Sequence, residues 1–167
     1  MAVENIKSTP ITNRDAAPKV LNDSHVQAGI LLEAVGICEA AAAATSASTY
    51  KFCQVPSNAR ISSVLLSSDD HGTTGLINVG IYKSTQDGGT VVDADFFASA
   101  VDIKTAALVD SNITHESGTY DIDDSEKPLW SALGLTSDPM ITYDVVGQLT
   151  EASLSGGTMV IKVRYAI

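Results

Sequence analysis

The stretch Cys53–Asp70, CQVPSNARISSVLLSSDD, holds a turn, one basic residue, a run of branched apolar residues and an acidic stop. Pro56-Ser57-Asn58 has turn chemistry, with proline suited to the second position of a turn. The residues after it, ARISSVLLSSDD, read as a strand rich in branched side chains. HGTTG (71–75) closes a loop, and LINVGIYKS (76–84) reads as the returning strand. Its Ile77, Val79 and Ile81 share one face, while Leu76, Asn78, Gly80 and Tyr82 share the other. Upstream, TYKFCQV (49–55) alternates, with Tyr50, Phe52 and Gln54 opposite Lys51, Cys53 and Val55. The quoted stretch is then the turn and outgoing strand of a β-meander, and it belongs to the scaffold.

Working outward, AGILLEAVGICEAAAAATSAST (28–49) pits helix-forming Ala40–Ala44 against the β-branched ILLEAVGIC. A strand over Ile30–Glu39 followed by a loop is expected, with a short helix at the alanines as the alternative. Asp87-Gly88-Gly89 marks a turn. DADFFASAVDI (93–103) reads as a short helix capped by Asp93. KPLWSALGL (127–135) reads as another, opened by Pro128 and ended by Gly134. MITYDVVGQLT (140–150) and GTMVIKVRYAI (157–167) are two strands joined by EASLSGG. Six to eight short strands without heptads or βαβ rhythm predict an all-β fold: an antiparallel β-sandwich or jelly roll with one or two short helices.

Residues 1–27 differ in kind. STPITNRDAAPKVLNDS mixes Pro10 and Pro18 with isolated apolar residues and has no sustained period. An extended arm over 1–27 is expected, followed by a sandwich domain over 28–167. The arm's scattered Ile6, Ile11, Val20 and Leu21 predict that it lies along its own domain or a neighbouring subunit. The opening MAVENIKSTPITNRD lacks the apolar core of a signal peptide. No run approaches the length of a membrane span.

The chain has 167 residues, a size that suits one domain. Aromatic residues make up only 5%, so the core must be aliphatic. The net charge of −10 excludes the basic face that a nucleic-acid binder needs. The excess is concentrated: ten acidic residues lie between Ser84 and Glu126 against the single base Lys104. The first 25 residues are balanced, with Lys7, Arg14 and Lys19 against Glu4, Asp15 and Asp23. The acidic segment reads either as a solvated face or as a surface for a basic partner. Asp121, Asp123 and Asp124 lie closest together in it. As exposed charges, their replacement by asparagine is expected to leave the fold intact.

Candidate sites for chemistry are sparse. Asp69-Asp70-His71-Gly72 could hold a divalent metal, but no second ligand cluster has a matching spacing, and a loop explains the residues. DIDDSE (121–126) resembles a calcium loop without its glycine or its distant bidentate glutamate. His25, His71 and His115 lie far apart, and no HExxH, GxSxG or CxxC occurs. The Asp87–Gly89 and Ser155–Gly157 glycines lack the lysine of a phosphate cradle. Trp130, the sole tryptophan, is expected to plug the core beside Leu129, Leu133 and Leu135. Cys38 and Cys53 form no framework and are expected to be buried thiols, with one disulfide as the alternative. The expectation is therefore no catalytic residue, no cofactor, no metal, no nucleic acid and no membrane.

The arm MAVENIKSTPITNRD, then VPSNARISSVLLSSDDHGTTGLINVGIYKS, then DADFFASAVDI, resembles small structural proteins of tailed bacteriophages, which include the jelly-roll cement or decoration proteins of capsids. The likeness runs from Met1 to about Ile103, and more loosely over the final TMVIKVRYAI. It implies a non-enzymatic virion component that binds the outside of a capsid shell. Its partners are then the phage major capsid protein and further copies of this chain, as a dimer or trimer. Ile6, Ile11, Arg14 and Val20 of the arm, with Asp121, Asp123 and Asp124, are the expected partner-binding residues. The alternative is a glycan-binding jelly roll, which normally exposes aromatic side chains over a concave face.

Overall fold

The computed structural model describes residues 6–104, 106–153 and 155–167. Eight strands run in chain order: β1 (Leu31–Ala40), β2 (Thr49–Pro56), β3 (Arg60–Ser68), β4 (Leu76–Lys83), β5 (Val91–Asp102), β6 (Leu108–Asn112), β7 (Thr142–Leu149) and β8 (Gly157–Ala166). Two short helices accompany them, α1 (Thr9–Asp15) and α2 (Leu129–Ala132). The strands form two antiparallel sheets, ordered β1-β8-β3-β6 and β2-β7-β4-β5.

This order has a simple origin. β4 pairs with β5, β3 with β6, β2 with β7 and β1 with β8. The chain is one long antiparallel ribbon folded at the β4–β5 hairpin. Winding the ribbon brings β3 beside β8 and β4 beside β7, which completes the two sheets. The result is a jelly roll. It corrects the expected meander, because the Pro56–Ala59 turn carries the chain from one sheet to the other. Proline takes the first position of that turn and not the second, with Ala59 N–H donating to Pro56 O at 3.0 Å.

The inner faces form the core. Ile77, Val79 and Ile81 of β4 are fully buried, as their alternation predicts, and face Ile61, Val64 and Leu66 of β3 within one cluster. In β3, Ile61 and Val64 are three residues apart, which strict alternation forbids. A bulge between Ile61 and Ser63 resets the phase so that both point inward. β2 does the same at Phe52, so Phe52 and Cys53 both pack against the core, although their alternation sets them on opposite faces.

DADFFASAVDI is strand and not helix. Between the pairs Val79–Ala98 and Ile81–Asp93, β5 carries extra residues that bulge over its partner. This arrangement buries Phe96, Phe97 and Ala98 in succession. A helix would turn adjacent phenylalanines about 100° apart and split them between faces. Asp93 does accept a backbone N–H, from Asp95 at 3.2 Å, but the bond braces the bulge. Phe96, Phe97 and Tyr120 form one aromatic cluster, with Phe96 and Phe97 5.0 Å apart and Tyr120 at 5.5 and 5.6 Å from them. The Tyr120 hydroxyl donates to Ile61 O, and burial pushes its pKa up to about 12.

Of the alanine run, Ala40 ends β1 and Ala41–Ala44 form a loop, with Ala43 in the left-handed region and Ala44 bridged to Ser153. Helix α2 starts after Pro128 and gives way to Gly134 at φ +75°. Leu129 fills the core, while Trp130 is only half-buried, which corrects the expected plug. The reason is that Leu129 and Trp130 N–H bond to Ala59 O and Ser57 O, fixing the helix so that Leu129 points in. Cys38 and Cys53 are free thiols, half-buried rather than buried. Burial raises both, Cys53 to about 12.

Gly36 is set by the closure of the roll. A side chain there would meet Phe52 O of β2 at 2.0 Å, a backbone atom that cannot swing away. Gly36→Ala is expected to lower unfolding stability by about 1–3 kcal/mol. Ile37→Ala next to it, at an exposed position, should change stability by less than about 0.5 kcal/mol. Urea unfolding of the two variants checks this, and equal effects would contradict the seam.

Candidate interaction surface

The arm is not extended throughout. Thr9–Asp15 form α1, with Pro10 in the first turn where its missing N–H costs nothing. Thr12 Oγ1 donates to Ser8 O at 3.0 Å, and Asp15 pairs with Lys7 and Arg14 at 2.8 and 2.9 Å. Those two cations, Arg14 first, hold the Asp15 carboxyl below its ordinary value. The chain then doubles back. Asn13 Nδ2 donates to Asn22 Oδ1 at 2.7 Å, and Asn22 Nδ2 reaches Pro10 O and Gln27 Oε1. Asparagine and proline, which broke the helical pattern in the sequence, are here the clasp and the helix start. No α1 residue is buried. Ile6 is 85%, Val20 52% and Leu21 94% exposed, and Ile11 also faces solvent.

Arg60, the basic residue of the fold-deciding stretch, joins the arm to the sandwich. Its Nε donates to His25 O at 2.5 Å and its Nη1 to Ser125 O at 3.2 Å. The arm and the acidic turn, 106 and more residues away from α1 in the chain, are thereby brought to one end of the molecule. Asp121 and Asp124 close a capping box around the 3-10 turn Ile122–Asp124, and Asp124 also pairs with Lys127 at 2.6 Å. That pairing raises the Lys127 pKa. Asp121 and Asp124 are thus backbone acceptors, a role that an asparagine oxygen at either position can also fill. Asp123 and Ile122 are exposed.

A third surface escaped the sequence reading. On edge strand β1, the positions that face inward are Ala34, Gly36, Cys38 and Ala40, all small, while Leu32 on the same face lies at the strand's outer end and stays exposed. The large residues Leu31, Val35 and Ile37 point outward and are exposed, and Ile30 before them is too. Glu33 pairs with Arg164 at 2.7 Å on this outer face, and Lys162 pairs with Asp110 at 2.8 Å. The signal was present in ILLEAVGIC as large and small residues in alternation. Hydrophobicity alone does not tell which set faces the core.

Polar clusters elsewhere are closed on themselves. A cleft of about 520 Å³ is lined by Lys51, Gln54, Ser84, Thr85, Asp87 and Asp144, among others. Lys51 Nζ lies 2.9 Å from Asp144 Oδ2 and 3.2 Å from Thr85 Oγ1, and Gln54 Nε2 donates to Asp144 Oδ1. In the Asp69–Gly72 loop, Asp69 accepts Thr158 N–H and Asp70 accepts Gly72 N–H. Among the described residues, no three His, Cys, Asp or Glu side chains gather as metal ligands. No helix among them is long and apolar enough to cross a membrane. The large exposed hydrophobic side chains are aliphatic or methionine, with no aromatic platform for a glycan among the described residues.

No family model matches the sequence. No curated protein matches it. The fold is similar to that of a chain in the cyanophage Pam1 capsid asymmetric unit, at 17% identity and a TM-score of 0.50. The likeness covers 92% of this chain and 96% of that one, so the two share a fold along nearly their whole lengths.

His71 generates a pH prediction. It is fully buried, with Nδ1 2.8 Å from Ser153 Oγ and Nε2 without a partner. Burial pushes its pKa down, against the nearby Asp69, Asp70 and Glu39 carboxylates, which push it up. The unfolded chain binds the proton at ~6.5, and the folded chain resists it. Stability should therefore be full above that value and fall as the pH drops below it. Denaturant unfolding at neutral and mildly acidic pH, with His71→Gln as comparison, reads the effect. An unchanged pH profile in the variant would show that another group is responsible.

Proposed function

We propose that this chain is a non-enzymatic virion structural protein that binds the outer surface of a phage capsid and stabilises contacts between capsomers, as cement or decoration proteins do. The observation that carries the reading is the fold shared along nearly the whole chain with a component of a cyanophage capsid. Its partner is then the major capsid protein, and its place is the capsid surface.

The distribution of apolar residues supports an attachment role. The arm's internal bonds are polar, while Ile6, Val20 and Leu21 face solvent. Burying each of these against a shell contributes on the order of 1.5–3 kcal/mol. Repetition over many identical copies multiplies the effect on the shell. The arm and the outer face of β1 are accordingly the attachment surfaces, with residues 1–27 acting as a unit distinct from the sandwich.

Co-sedimentation with purified phage heads tests the reading, and a chain that stays in the supernatant at all concentrations would refute it. Deleting residues 2–24 spares the His25 carbonyl that Arg60 holds. The truncated chain should melt within a few degrees of the full one yet bind heads weakly. A truncated chain that fails to fold would mean the arm is part of the sandwich.

A further inference from the structure

We propose that the arm groove of one copy receives the Ile122 turn of a second copy. The contact does not depend on binding to a capsid.

The groove has a volume of about 330 Å³ and is lined by Val20, Leu21 and Ala28 together with Arg14, Lys19 and Gln27. Its lining joins apolar side chains to two bases, of which Arg14 also pairs with Asp15 at 2.9 Å while Lys19 makes no ion pair among the described residues. In a molecule of net charge −10 this is unusual: residues 6–21 hold three bases and one acid. The matching shape occurs on the same molecule. Ile122 stands 69% exposed at the tip of its turn, between the exposed carboxylates of Asp121 and Asp123. An apolar knob between two acids is complementary to an apolar groove whose lining includes Lys19 and Arg14, and a paired charge at the rim of such a contact fixes its register.

The occupant is a second copy because the knob is not seated at home. Arg60 holds the arm and the residues just after the Ile122 turn at one end of the sandwich, yet Ile122 remains open to solvent. The groove and the knob are different patches held at one end of the molecule, so two copies related by a twofold axis exchange them reciprocally, each knob in the other's groove, whereas an unreciprocated contact would repeat into a ring or a chain. The turn is held by its capping box and by the Asp124–Lys127 pair, so the knob needs little reordering on binding.

The test uses the full chain in isolation. Sedimentation equilibrium should show the mean mass rising with concentration up to the order of 100 μM. Ile122→Asp should move the half-association concentration up by about tenfold or more, as for a central apolar anchor. Because Ile122 is exposed, its melting temperature should not change. Arg14→Glu with Lys19→Glu should weaken association in the same way. Direction is read by mixing Leu21→Cys chains with Ile122→Cys chains and a short bismaleimide. Links should map between positions 21 and 122 of different chains. A monomer at every concentration, an Ile122→Asp chain that associates like wild type, or links joining position 21 only to position 21 would each overturn the contact.

Discussion

The seam where β1 passes β2 governs the rest of the molecule. Winding a single antiparallel ribbon into a jelly roll places its outermost pair of strands, β1 and β8, in one sheet and the next pair, β2 and β7, in the other. β1 and β2 are then the edges that meet across the sandwich. At Gly36 the backbones come so close that a methyl group would overlap Phe52 O, and the Cys38 thiol rests against Lys51 O at 3.4 Å. Small residues are therefore required on the inner side of β1. A strand that must still be apolar enough to pair with β8 has its large side chains on the other side. The exposed Leu31, Val35 and Ile37 follow from closure.

Arg60 is the second fixed point. A guanidinium carries several donors in a rigid plane, so one side chain can serve two carbonyls from distant segments. It does so for His25 and Ser125. The arm is otherwise held by amide-to-amide and amide-to-carbonyl bonds, each worth about 0.5–1.5 kcal/mol net. Apolar burial contributes little there, since no residue of α1 is buried. The arm is consequently ordered cheaply and keeps its apolar side chains outward, the arrangement expected of a segment whose hydrophobic contacts are made with another chain.

The sequence was most legible where one face of a strand is wholly buried. β4, β7 and β8 kept their period because the extra residues of the bulges fall on their partners β5, β2 and β3, and Ile77, Val79 and Ile81 declared the inner face directly. β2 and β3 were found as strands but not in phase, because bulges at Phe52 and between Ile61 and Ser63 are set by pairing with residues about a hundred positions away. The β5 segment was misread because its Asp93 cap and paired phenylalanines serve a bulge. β6 is five residues long, with an irregular register against β3, and left no period to read. Turn signals located the connections, but the same proline and asparagine serve a hairpin and a crossing between sheets. The arm's apolar residues were visible at once. Arg60's role and the β1 outer face were not, since both depend on neighbours that only the winding supplies.

The acidic composition is explained by the same winding. A jelly roll has many connections, and each leaves backbone N–H groups without a strand partner. Between Ser84 and Glu126, Asp93, Asp102, Glu116, Asp121 and Asp124 all accept such groups, while Asp87 bonds Ser84 and Asp110 takes Ser67 and Lys162. These acids lie on elements of both sheets and on separate turns, so they do not make one acidic face. Their sum still gives every copy a repulsive field that acts over about 8 Å at physiological ionic strength. Contacts between copies must then be made at close range, by apolar groups flanked by opposite charge. Within the arm, which is balanced as a whole, residues 6–21 hold Lys7, Arg14 and Lys19 against Asp15 and are the part of this surface that meets that condition.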